Sequence, residues 1–120
     1  MAEHNDLGEM GESLAADYLT EHGLMILEKN FRFKSLEIDI IARNATELII
    51  VEVKTRTSVD MAFPRDSINI AKQKRLFNAA QAYIENRRLF LNVRFDIIEV
   101  SMLKGKPQIN WMPDAFSPGW

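Results

Sequence analysis

The chain reads as an α/β domain, a central mixed β-sheet flanked by helices in the order αβββαββ. Three observations predict this. Ile38, Ile40-Ile41 and Ile49-Ile50-Val51 form near-continuous apolar runs, as in strands covered on both faces. Segments with helical periodicity stand before and after those runs. A further strand signal, Val93, Phe95 and Ile97 in alternation, follows the second helical segment, so a helix interrupts the strand series as in a mixed layer.

The first helix is predicted from Asp6, with Glu9 as its capping-box partner, to Gly23, whose following Leu24 supplies the apolar contact of a helix stop. Leu7, Met10, Leu14 and Tyr18 mark its apolar face. Strands are expected over Leu24–Arg32, Leu36–Arg43 and Glu47–Lys54, with Asn44–Glu47 as the turn of a hairpin. The stretch Thr55–Ser67 is irregular and contains Pro64. Ser67 or Asn69 caps a long helix reaching about Arg88, with Ala71, Phe77, Ala80 and Ile84 along one side. Asn92–Met102 is the next strand, and Gly105-Lys106-Pro107 turns into a short one at Gln108–Met112. Residues 113–120, rich in proline and glycine, are expected to form a loose tail on a single domain spanning 1–120.

With 120 residues, 47% of them hydrophobic and 27% charged, the chain has globular composition. The absence of cysteine excludes disulfides and thiolate metal sites and fits a reducing cytoplasm. No apolar run approaches the ~20 residues of a membrane span, and the start lacks signal-peptide character. Net charge is −2, but residues 1–28 hold seven acids and no Lys or Arg, whereas residues 29–106 hold all 15 basic residues against nine acids. Such asymmetry permits a basic face; an evenly mixed surface is an equal alternative.

The chemistry concentrates on the hairpin. Alternation puts Glu37 and Asp39 on one face of their strand, and likewise Glu52 and Lys54 on one face of theirs. A turn centred between Ala45 and Thr46 sets Asp39 opposite Glu52 and Glu37 opposite Lys54. Two carboxylates roughly 5 Å apart at an effective dielectric near 20 repel by about 3 kcal/mol, so the pair requires a cation. Lys54 is one candidate, and Mg²⁺ or Mn²⁺, which suit carboxylate and water oxygens, is another. Lys54 is then placed to orient an attacking water or to stabilise charge developing on a phosphoryl group. Glu12, at the edge of the first helix's buried stripe near Gly8 and Ala16, is positioned to add a third acid. Lys72, Lys74 and Arg75 open the second helix as a basic cluster, and Lys34, Arg56 and Arg65 near the strand ends extend it toward a nucleic-acid-binding patch. Each feature has a plainer reading: solvated strand face, surface carboxylate, solvated helix. Phe31 and Phe33 are assigned to core packing rather than to base stacking.

These residues resemble the YraN-like bacterial family, which is similar to archaeal-type Holliday-junction resolvases and to the PD-(D/E)xK nuclease superfamily. The resemblance is carried by Gly11-Glu12 with Ala15 or Ala16, by Glu37 to Ala42, by Val51 to Arg56, by Lys72 to Leu76 and by Arg94-Phe95-Asp96. Leu36 departs from the glycine usual there. The resemblance implies a restriction-endonuclease-like core in which Asp39, Glu52 and Lys54 form the acid-acid-lysine signature. It also implies Glu12 as the helix acid and the Val53 carbonyl as a further metal ligand. It carries the expectation of a Mg²⁺- or Mn²⁺-dependent endonuclease for branched or structured DNA, acting as a homodimer. The alternatives are a non-catalytic DNA-binding or adaptor protein on the same scaffold, and a structural domain that binds only protein partners.

Overall fold

A computed structural model describes residues 2–56, 68–102 and 105–117, with the backbone alone for residues 2–6. Helix α1 spans Ala2–Glu21, β1 Met25–Phe33, β2 Leu36–Arg43, β3 Glu47–Arg56, α2 Ile70–Arg87, β4 Asn92–Ser101 and β5 Gln108–Phe116. The five strands form one sheet in the order β1-β2-β3-β4-β5. Only β3 and β4 run parallel, because α2 crosses over between them. No helix is long and apolar enough to cross a membrane among the described residues.

Helix α1 begins at Ala2, upstream of the expected Asp6 start. Nothing in Ala2-Glu3-His4-Asn5 breaks a helix, and an acid in the first turn suits the helix dipole. It ends as expected. Gly23 adopts φ +94°, its amide donates to the Thr20 carbonyl at 3.1 Å, and the Leu24 amide donates to that of Leu19 at 3.0 Å. The buried stripe differs from the expected one: Gly11, Ala15, Ala16 and Leu19 face the sheet, while Leu7, Leu14 and Tyr18 are half-buried and Met10 is exposed. Small side chains win this face because they let the helix axis approach the strands. A Cβ added at Gly11 would stand 1.9 Å from Thr55 Oγ1, whereas one added at Gly8 would meet nothing.

On the other face, α2 is capped by Asn69, whose side chain accepts the Lys72 amide at 2.8 Å. Leu76, Ala79, Ala80 and Tyr83 are its buried residues. Phe77 and Ile84 pack at the margin of that core, and Ala71, expected inside, is exposed. The core therefore has two halves. Ile38, Ile41, Leu48, Ile50, Phe95 and Ile97 pack toward α2, and Ile40, Ala42, Ile49, Val51, Ile98 and Val100 toward α1. The central strands are covered on both sides, which is why their sequences are apolar runs rather than alternating ones.

Strand β5 extends to Phe116, so residues 113–116 belong to the sheet rather than to a loose tail. Proline is tolerated here because β5 is an edge strand with a register shift opposite Phe95 and Ile97. Fully buried Asp96 holds that shift. It accepts two hydrogen bonds from Arg94 at 2.9 and 2.8 Å, one from Trp111 Nε1 at 2.8 Å and one from the Asp114 amide at 2.9 Å. Phe116 stacks on Phe95 with ring centroids 5.1 Å apart.

Candidate functional site: an acidic fork between two strands

The β2–β3 hairpin has the expected register: Ile40 faces Val51, Ile41 faces Ile50, Ala42 faces Ile49 and Arg43 faces Leu48. Ala45-Thr46 is not a favoured turn pair, and the turn is held instead by Asn44. Its side-chain oxygen accepts the Thr46 amide at 3.0 Å and the Glu47 amide at 2.8 Å. Pairing stops at Ile40 and Val51, one step before Asp39 and Glu52 would meet. The expected Asp39–Glu52 and Glu37–Lys54 rungs are therefore absent from the ladder. Charge repulsion between the two acids opposes that rung. The strands part instead, and Asp39 Oδ2 accepts the Val53 amide at 2.8 Å in place of a backbone carbonyl.

Beside this fork the two-residue alternation of β2 breaks. Ile38 packs toward α2 and Ile40 toward α1, although they stand two apart on one strand. On β1, Lys29 pairs with Ile40 and Phe31 with Ile38, and Asn30 between them takes the left-handed φ of 54°. Glu37 and Asp39 consequently do not share one environment: Glu37 is exposed and Asp39 is half-buried.

Three groups converge on Asp39. Glu12 arrives from α1 and interacts with the Asn30 and Asp39 side chains closely enough for both to lower its pKa. The contact of Gly11 with Thr55 brings this turn of α1 onto β3. Glu52, only 7% exposed, lies on β3. Lys72 comes from the first turn of α2 and donates from Nζ to Glu52 Oε2 at 2.8 Å. Burial and then the neighbouring Glu52 push the Asp39 carboxyl from 3.8 up to about 7; Glu12 adds to the rise, while the Val53 amide and Lys72 oppose it. Glu12 is also raised, chiefly by burial and further by Glu37, against the pull of Asn30 and Asp39. Asp39 Oδ2 and Glu52 Oε2 are engaged, and among the described residues the second oxygen of each has no amide or ammonium donor and is open to another donor or cation.

Lys72 was assigned to the basic patch by sequence and sits in the fork instead. A lysine in the first turn opposes the helix dipole, and Glu52 compensates it. The signal that locates it is topological: a helix following β3 brings its N-terminal turn back to the strand's C-terminal end. Lys54 is half-buried and forms no ion pair among the described residues; in the parallel register it stands beside Glu99. Arg56 is bound by Glu99. Lys74 and Arg75 are exposed on α2, Lys34 lies over the Phe33 ring at 5.3 Å, and Arg65 falls outside the described residues. Phe31 and Phe33 pack at the margin of the α2-side core, as expected.

Among the described residues no three acidic or histidine side chains are gathered tightly enough to ligate one ion. The fork is thus a cluster of three interacting carboxylates with one of them held by an ammonium. Its hard oxygen donors are of the type that Mg²⁺ or Mn²⁺ takes.

Fold and site together define a small α/β protein with an acidic fork at the end of a mixed sheet. The chain belongs to the group described as Uncharacterised protein family UPF0102, which it matches over residues 11–100. It is similar to a UPF0102 protein of Flavobacterium psychrophilum, 46% identical over 97% of this chain and 98% of the relative. A UPF0102 protein of Bacteroides thetaiotaomicron is 44% identical over 98% of each chain. One from Dictyoglomus turgidum is 37% identical over 94% of this chain and 98% of the relative.

Proposed function

We propose that the protein is a metal-dependent endonuclease acting on branched or structured DNA. The observation that carries this reading is Asp39, a half-buried carboxyl pushed up to about 7 between two other acids at the point where β2 and β3 part. Perturbed acids of this kind cluster where charge is used. Asp39, Glu52, the Val53 carbonyl and Glu12 are the residues that would hold Mg²⁺ or Mn²⁺. When bound, such an ion supplies Lewis-acid charge at a phosphoryl oxygen and lowers the pKa of water.

The chain's own residues provide the rest. Asp39 and Glu52 take their positions from the Val53 amide and from Lys72. Lys54, without a carboxylate partner among the described residues, is free to orient water or to meet charge developing on phosphorus. A homodimer suits a junction, which presents two related strands. The test is cleavage of junction, flap and duplex DNA with each divalent metal, alongside Asp39→Asn and Lys54→Ala. The reading expects junction or flap cleavage that both substitutions abolish; cleavage surviving both sinks the assigned site.

A second reading, a non-catalytic DNA-binding or adaptor protein, draws on the Lys72–Glu52 pair, which already neutralises one of the acids. Mn²⁺ titration separates the two: salt-sensitive DNA binding without any Mn²⁺ binding favours the adaptor.

A further inference from the structure

Beside the fork, the turn joining β1 to β2 and the second and third turns of α2 enclose a cleft lined by Phe33, Lys34, Ser35, Leu36, Arg75 and Asn78. No acid lines it. Lys34 and Arg75 are exposed, and neither is paired with a carboxylate among the described residues. This separates them from Arg56 and Lys72, which Glu99 and Glu52 hold. Ser35 and Asn78 add a hydroxyl and an amide. Two cations without a carboxylate partner among the described residues, with a neutral hydroxyl and amide beside them, form a site for an oxyanion.

The turn itself is built against its local preference. Lys34 adopts φ +57°, a region where a side chain with a Cβ is strained and glycine is not. The cleft also lies in line with the fork. Arg75 is one helical turn beyond Lys72, and Leu36 stands three residues before Asp39. Three residues of strand cover about 10 Å, roughly the rise of three base steps along one nucleic-acid strand. One backbone therefore spans both places.

We infer that this cleft binds a backbone phosphate about three steps along the DNA strand from the phosphodiester at the fork, with Lys34 and Arg75 as its clamp. The inference rests on the nuclease reading and assigns that site's substrate register.

The test uses the full chain, fluorescent four-way junction DNA in EDTA, and the variants Lys34→Gly, Lys34→Gln and Arg75→Gln. Affinity is measured across a salt series, with inorganic phosphate as a second probe. Each substitution is expected to lower junction affinity and to reduce the magnitude of the log–log salt slope by about 0.9, the value for one phosphate contact on duplex DNA. Lys34→Gly should do so while raising the melting temperature, since it relieves the left-handed residue; a purely structural lysine would lose no affinity. Junction binding with an unchanged slope in the variants overturns the clamp and leaves the nuclease reading intact. Failure of the wild type to bind any DNA overturns both, and so does binding of inorganic phosphate without DNA.

Discussion

The Val53 amide donates to Asp39 Oδ2 at 2.8 Å where the β2–β3 ladder has just ended. One side chain thereby replaces a backbone acceptor and is fixed between α1 and β3. Its carboxyl can serve the backbone through one oxygen and a cation through the other.

Substituting Asp39 separates these duties. Asp39→Asn retains an oxygen for the Val53 amide and removes a charge that Glu52 and Glu12 repel. Stability is expected to hold or to rise by about 1 kcal/mol, while Mn²⁺ affinity falls by about 10- to 100-fold. Asp39→Ala also strands the amide and should cost about 1–3 kcal/mol. Urea unfolding and calorimetric Mn²⁺ titration measure both quantities; equal stability of the two variants would show that the Val53 contact contributes nothing.

The same carboxyl makes stability fall with pH. Its folded-state value, about 7, lies above the ordinary 3.8, so between these pH values the folded chain holds a proton that the unfolded chain has released. The stability contributed by the protonated form is complete below about pH 3.8 and is lost as pH rises through about 7. Unfolding free energies from urea titrations at pH 5 to 8 should decline in the wild type relative to Asp39→Asn, by a few kcal/mol at most. Parallel profiles would place the titration elsewhere. Mn²⁺ affinity should weaken below about pH 7, because the ion must displace that proton.

Lys72 and Glu52 form a pair whose carboxylate is far better buried than its ammonium, 9% against 28% exposed. Lys72→Ala leaves Glu52 uncompensated and is expected to cost about 1–3 kcal/mol, less than a fully buried pair. Adding Glu52→Gln to it should recover most of the loss. Millimolar Mn²⁺ should raise the melting temperature of Lys72→Ala by more than that of the wild type, since a second cation then answers Glu52. Equal shifts argue that Glu52 holds no ion.

Gly11 and Gly8 make an internal comparison on one helix. Gly8→Ala meets nothing and should gain about 0.5–1 kcal/mol from helix propensity. Gly11→Ala drives a methyl to within 1.9 Å of Thr55 Oγ1 and should lose about 1–3 kcal/mol as α1 lifts from β3. Thr55→Ala combined with it should restore part of that loss. Because Glu12 moves with the helix, Gly11→Ala should also weaken Mn²⁺ binding, which Gly8→Ala should leave alone.

What the sequence by itself determined is local. Strand β2 fell at its expected bounds, the hairpin register followed from where its turn is centred, and Gly23 and Asn69 marked helix ends by the backbone geometry they favour. The grouping of Asp39, Glu52 and Glu12 was legible because few acids lie within or against apolar strands. Tertiary structure decided everything that depends on what arrives from far along the chain. It chose Gly11, Ala15 and Ala16 over longer apolar residues as the sheet-facing stripe, because close approach outweighs the size of the buried side chain. It kept residues 113–116 in the sheet through Asp96, fifteen and eighteen positions from its side-chain and backbone donors on β5 by chain order but in contact across one register shift. It gave Glu52 the ammonium of Lys72, twenty residues away, rather than that of Lys54 on the same strand. A charge pairs with whichever counter-charge the packing of helix on sheet places within reach, and periodicity along one strand carries no information about the helix that covers it.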